Sequence, residues 1–439
     1  MINTQTKQAA VRIGRLILGA LFMFSGFSKC IDPVGGAIKI EDYFVAWGMA
    51  DTPWWICMAL SIVQNIVEFT TGFMLVCGAY MRVSTAIALA FMVFYTPLTL
   101  YIAIANPVSD CGCFGDAMKI TNWQTFGKNI VFLAIAVVVF LWQKAETRHD
   151  KRWKQLAMTG TALVVSTLVS IKGVTDEPIM DFRPYAVGTN IPEAMTTPEG
   201  AEMTEYKTTF ILEKDGKIAE FDEHNYPYDD STWVYRDSRT EVLKEGYVPP
   251  IADFTLTDED GNDQSESLLH ASEQTILAIV PKLEKASDEE LAQLGHQWVM
   301  AQENGLPMYV CTSSAQSEFY RTDSVAGSVG LEFLFGDETM LKTIVRSRVG
   351  IIVLQQGTIV AKYSIGNMPL DRDMKNPGAA YATNQRAAYE WLMILCLALA
   401  CGIVWLLIHR GHRRGHGTVA RSEQRDMNVP NAEANKVSE

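Results

Sequence analysis

Apolar positions along this chain fall into long uncharged runs rather than an even scatter. A helix that crosses a bilayer needs about 20 mostly apolar residues, because no water satisfies its backbone there. Six runs qualify: 11–29, 56–79, 83–105, 126–142, 155–172 and 388–408. The first lacks a small-residue cleavage site, and Lys29 ahead of Cys30 breaks a lipoprotein-type signal, so it is expected to remain as a helix.

Between the fifth and sixth runs the pattern changes. Within 200–247, "TTFILEKDGKIAEFDE" alternates about an Asp-Gly, the signature of a hairpin, and "STWVYRDSRTEVLKEGY" alternates likewise. Beyond "YVPPIADFTL" the pattern predicts strand 275–281, helix 287–303, strand 307–312, helix 315–324, strand 331–335, helix 337–346, and strands 350–355 and 358–364. Strands alternating with helices and closing on a hairpin imply an α/β layered domain. The expected fold class is therefore an α-helical membrane bundle of about six spans plus an exported α/β domain with a small β-rich insertion.

Charge separates the same regions. The chain carries a net −13, but residues 174–388 hold 36 acidic against 17 basic residues, a net of −19. So acidic a segment excludes nucleic acid as a partner, since phosphates need a basic surface. Lysine and arginine cluster instead in the N-terminus (Lys7, Arg12, Arg15), at Arg82, between 144 and 154, and after 409. If six spans alternate, all four clusters share one side, which the positive-inside rule makes cytoplasmic. Both termini are then inside a bacterial cell membrane. The 30–55 loop, the 106–125 loop and the acidic domain are outside, in the periplasm.

That orientation places Cys111 and Cys113 of "SDCGCFGD" in an oxidising space. A metal would need about four ligands, and no histidine lies in an outer loop of the membrane part, so no metal is expected. Exposed inert thiols oxidise readily outside the cytoplasm. A reversible dithiol–disulfide pair is the reading that uses the spacing. Residues two apart close a disulfide only through a bent backbone, and Gly112 removes the Cβ penalty of that bend. Such a small ring is strained and hence oxidising and labile. Asp110 beside Cys111 disfavours a thiolate there and points to Cys113 as the attacking sulfur. Cys30, at the outer end of the first span, is the candidate resolving thiol. Glu68, at membrane depth beside Gln64 and Asn65, is a candidate proton carrier, or else packs against Arg15 or Lys128. Trp54, Trp55 and Trp123 fit interfacial anchoring. Cys77, Cys311, Cys396 and Cys401 read as small apolar residues.

The runs "TPLTLYIAIANPVSDCGCFGDA", "TNWQTFGKN" and "FMFSGFSKCIDPVGG" resemble the DoxX/MauE membrane proteins, the latter known as methylamine utilisation protein MauE. The resemblance spans about residues 11–145. It implies disulfide chemistry on periplasmic proteins and, through DoxX-like relatives, a link to quinone; the residues themselves show no cofactor. It carries over the Cys111–Cys113 pair alone. The α/β segment resembles the thioredoxin and peroxiredoxin fold, but "PKLEK" at 281–285 holds no thiol pair and Val349 replaces the expected proline. A binding module without thiol catalysis is expected.

The organisation expected is a four-helix membrane domain over 1–145, then a basic loop and fifth span over 146–173. A β-rich segment at 174–248 and a thioredoxin-like domain at 249–387 follow. The sixth span at 388–408 and a disordered tail at 409–439 complete it. Two functions compete. One is a membrane thiol–disulfide oxidoreductase, acting on periplasmic thiols or with a membrane electron carrier. The other is a non-enzymatic membrane-anchored scaffold that docks a partner.

Overall fold

The computed structural model describes residues 3–382, apart from 109–110, 119, 146–151, 199, 203–204, 215, 223–224, 229, 231, 245 and 369–375, together with 389 and 391. It divides into two units, one containing residues 1–174 and the other Thr175–Tyr381.

The first unit is a helical bundle: α1 (Thr4–Ile31), α2 (Pro33–Ala46), α3 (Trp54–Cys77), α4 (Met81–Ala105), α5 (Asn122–Trp142) and α6 (Arg152–Thr175). Five of these, all but α2, are long and apolar enough to cross a membrane, and they match the first five runs read from the sequence. Nearly all of the expected sixth span lies outside the described residues. The 30–55 segment is corrected from loop to helix over much of its length. The Asp32 carboxylate accepts from the Gly35 N–H at 2.8 Å and Pro33 opens the first turn, so the chain starts a new helix one residue after α1 stops. The sequence "TNWQ" forms a capping box in which Thr121 and Gln124 satisfy each other's backbone, which starts α5.

α1 and α3 pack backbone against backbone. A Cβ on Gly26 would collide with the Phe69 backbone, and one on Gly72 with the backbone of Phe22 and Met23. Small residues permit this approach where apolar burial supplies no drive between helices. Alternation of the helices follows from their end contacts. The Arg15 guanidinium, in the first half of α1, donates to the carbonyls of Leu75 and Val76 at the end of α3 (2.6 and 2.9 Å). At the other end, Gly173 of α6 abuts Ile31 of α1, and Ser25 of α1 reaches the 106–121 connection.

The second unit contains two sheets. In the smaller, β1 (Glu205–Lys214), β2 (Lys217–Asp222) and β3 (Val234–Lys244) pair antiparallel in the order β2-β1-β3, with the predicted hairpin turning at Gly216. The larger sheet contains β4 (Thr275–Ile279), β5 (Met308–Thr312), β6 (Phe333–Phe335), β7 (Gly350–Gln355) and β8 (Thr358–Ser364) in the order β6-β5-β4-β7-β8. β4, β5 and β6 run parallel, while β7 and β8 are antiparallel additions.

Every residue of β4 is buried, because both faces are covered. Ile276 and Ala278 meet Leu291, Leu294 and Trp298 of α9 (Asp288–Glu303) and Phe319 of α10 (Ser317–Val325). Leu277 and Ile279 meet residues of α7 (Ile191–Met195), α8 (Ser265–Leu269) and α11 (Glu338–Ile344).

The segment that enters this unit is held by buried charges. Arg183 donates to both oxygens of Asp181 (2.7 and 2.8 Å) and to Glu177 (3.1 Å). Lys362 on β8 donates to Asp181 at 2.8 Å and to the Tyr185 carbonyl at 2.6 Å. Burial pushes the Asp181 carboxyl up, but Arg183 and Lys362 outweigh it and hold the group at about 2.

Two outcomes follow from this packing. Gly72→Leu should destabilise the detergent-solubilised protein by about 3 kcal/mol through overpacking, read as a lowered thermal midpoint. Asp181→Asn leaves two cations without that acid and should cost roughly 3–5 kcal/mol near neutral pH. A depressed carboxylate stabilises above its unfolded value, about 3.9, and loses that contribution as pH falls toward its folded value. The deficit of Asp181→Asn should therefore shrink between about pH 4 and pH 2, measured by thermal unfolding of both proteins.

Candidate functional site

The 106–121 connection folds back onto the end of the bundle, where α1, α2 and α5 contact it. Gly112 adopts φ +62°, and Gly115 donates its N–H to the Gly112 carbonyl at 3.0 Å, closing a tight turn. A side chain at Gly112 would also press on the Lys39 stem of α2, its Cβ lying 3.2 Å from Cγ. The Ser25 hydroxyl of α1 donates to the Cys113 carbonyl at 2.5 Å, and the Tyr43 hydroxyl of α2 to the Cys111 carbonyl at 3.1 Å. Phe114 is buried against Phe24, and Lys128 of α5 sits 4.0 Å from the Phe114 ring centroid.

Both thiols are free and half-buried. The Cys113 N–H donates to the Cys111 sulfur at 3.3 Å. The Cys113 thiol also donates to Cys111, which lowers the Cys111 thiol against the opposing effect of burial; Thr125 and the charge of Lys128 assist. Cys113 is pushed up by the same hydrogen bond, by burial and by the neighbouring Cys111 charge. This reverses the expectation that Cys113 is the attacking sulfur. The preference for Cys113 rested on Asp110, which lies outside the described residues; the turn instead aims its donors at Cys111.

Beneath the pair, Glu68 of α3 forms an ion pair with Lys29 of α1 at 2.9 Å, both side chains almost withdrawn from solvent. Arg15 donates to the carbonyl end of α3, and Lys128 stands over Phe114. Asn65 donates to the Lys29 carbonyl at 3.0 Å, and Ser61 to the Pro33 carbonyl at 2.7 Å. The Tyr95 ring of α4 lies 5.8 Å from the Lys29 ammonium. The Tyr95 hydroxyl is buried without a hydrogen-bond partner among the described residues.

Cys30 is not brought to the pair. Helix geometry places it about 140° around α1 from Ser25, and its thiol lies against Ser170 of α6, fully buried. Lys29, Ser25, Tyr43, Thr125 and Lys128 went unread as site residues. One signal was available for Lys29: a lysine in one apolar run demands a counter-charge, and Glu68 in another supplies it.

Residues 7–142 match the family described as Methylamine utilisation protein MauE. This membrane region is thus similar to the MauE family. The match covers α1 through α5 and so contains the whole Cys111–Cys113 turn and its supporting helices. Residues 206–245, the small sheet, match a domain of unknown function (DUF8463). Neither the curated proteins nor the solved structures contain a match to the chain.

The membrane unit also bears an apolar groove of about 720 Å³, lined by Trp47 after α2 and by Ala90, Val93, Phe94, Pro97, Leu98 and Tyr101 of α4. In the fully reduced protein at pH 7, Cys111 should react with iodoacetamide before Cys113, because the thiolate is the nucleophile. At pH 5, Lys128→Gln should slow that reaction about threefold, half a pKa unit. Peptide mass mapping after brief alkylation checks both outcomes.

Proposed function

We propose that this protein is a membrane thiol–disulfide redox protein acting through Cys111 and Cys113 on the periplasmic side. The observation that carries the reading is the turn at Gly112, which aims the Cys113 N–H at the Cys111 sulfur beside Lys128. A structural cysteine pair needs no arrangement that stabilises one thiolate.

In the reduced form, the Cys111 thiolate attacks one sulfur of a client disulfide and releases the other as a thiolate. Cys113 then loses its proton and displaces the client from Cys111. The client leaves reduced and the pair is left as a disulfide. Run in reverse, a client dithiol is oxidised and the pair reduced. Turnover in that direction requires a two-electron acceptor for the Cys111–Cys113 dithiol. A membrane quinone meets that chemistry. The groove on α4 is apolar enough for its ring or tail, with the Trp47 indole and the Tyr101 hydroxyl as the polar tips of the lining. Glu68, tied to Lys29 under the pair, is the nearby carboxylate through which a thiol proton would pass.

The second unit acts as the docking module for the client or partner. Its parallel β4 and β5, flanked by antiparallel β7 and β8 with helices on both faces, support a thioredoxin-like reading. Cys311 on β5 is fully buried, and burial pushes its thiol up, which argues against thiol chemistry there.

Two measurements test the proposal. Reporter fusions after Lys144 and after Gly246 should report opposite sides, and equal signals remove the periplasmic assignment. Mass mapping of membranes before and after reduction should find a Cys111–Cys113 disulfide that a Cys111→Ser/Cys113→Ser protein lacks. Full complementation of a deletion strain by that double variant refutes the redox role and favours a scaffold.

A further inference from the structure

Lys29 lies four residues after Ser25, about 40° around α1, so the two side chains share one face. Ser25 grips the Cys113 carbonyl. Lys29 therefore lies on the side of α1 that carries the cysteine turn, one helical turn further along. Its ammonium is held by Glu68 at 2.9 Å, and Asn65 fixes the backbone carbonyl of Lys29 itself.

An ion pair withdrawn from water at membrane depth is expensive, and apolar residues would pack the same space without that cost. An ammonium has three donors, of which Glu68 is bonded by one recorded contact.

We propose that Lys29 is the buried counter-charge of the cysteine pair, sharing its ammonium between Glu68 and the negative charge that forms on the thiols. The inference rests on the redox reading of the pair and assigns Lys29 as a positioning residue within it. When the thiols are protonated, or joined as a disulfide, Lys29 and Glu68 neutralise each other. When a thiolate forms, a second anion enters a site of low polarity, and the same cation serves both. Lys29 and Lys128 both act to lower the Cys113 thiol, one from α1 and one from α5.

The other charged or titratable groups around the pair come from each neighbouring element. They are Lys39 and Tyr43 from α2, Glu68 from α3, Tyr95 from α4 and Asp116 on the connection itself. Of these, Glu68 is the anion that holds Lys29 in place, and Tyr95 turns its ring toward the ammonium.

The test uses the full-length reduced protein in lipid nanodiscs. Iodoacetamide labelling of the pair is followed by mass mapping across pH 5 to 10. Lys29→Gln should move the labelling midpoint up by about one unit, which slows labelling about tenfold at pH values below the midpoint, whereas Lys29→Arg should keep the wild-type profile. Because Lys29→Gln strands Glu68 and can fail to fold, the neutral pair Lys29→Gln/Glu68→Gln is measured beside it, with a smaller upward shift expected because the carboxylate that repels a thiolate is removed as well. A folded Lys29→Gln/Glu68→Gln protein with the wild-type profile overturns the proposal. So does Lys29→Arg slowed as much as Lys29→Gln, since charge is then not what matters. The redox reading is judged separately, by whether the pair is ever disulfide-bonded in native membranes; the labelling profile is readable either way.

Discussion

The close approach of α1 and α3 is the constraint on which the membrane unit depends. Gly26 and Gly72 let the two backbones touch. That contact brings Lys29 to Glu68 and Asn65 to the Lys29 carbonyl. Ser61, one turn before Asn65, then takes the Pro33 carbonyl and fixes where α2 begins. α2 in turn carries Tyr43 and Lys39 over the cysteine turn. A few missing Cβ atoms between two helices thus determine the surroundings of two thiols in a connection far along the chain.

The second unit solves a different problem. Its sheet is covered on both faces, so its strands are continuously apolar and its stability rests on burial. The charged exception of note is the cluster of Glu177, Asp181, Arg183 and Lys362, in which two acids meet two bases and backbone N–H groups close the remaining oxygens. Buried charges of this kind contribute little over apolar packing but make one arrangement specific, because any other leaves a charge unpaired. In the membrane unit, Lys29 and Glu68 obey the same rule in a harsher solvent.

The two sulfurs differ although they sit two residues apart in one turn. Sequence proximity to Asp110 favours Cys113 as the thiolate, whereas the folded turn favours Cys111. Gly112 with positive φ folds the chain so that the N–H of the second cysteine meets the sulfur of the first. A backbone donor within hydrogen-bond reach of the sulfur favours its thiolate directly.

Features that depend on a local period, a cap or a short-range turn were legible without the fold. Five apolar runs are five helices, "TNWQ" is a helix start, the Asp-Gly at 215–216 is a hairpin, and the order of strands and helices from 275 to 364 is the order observed. α2 was missed because its 14 residues are too short and too mixed to register as a span, and its start depends on Asp32 capping a helix that follows another almost without a gap. The pairing of Glu68 with Lys29, the turning of Cys30 toward α6, and the unequal hydrogen bonding of Cys111 and Cys113 depend on tertiary structure. Each depends on which faces of separate helices meet, and sequence spacing within one helix carries no information about the rotation of its neighbour.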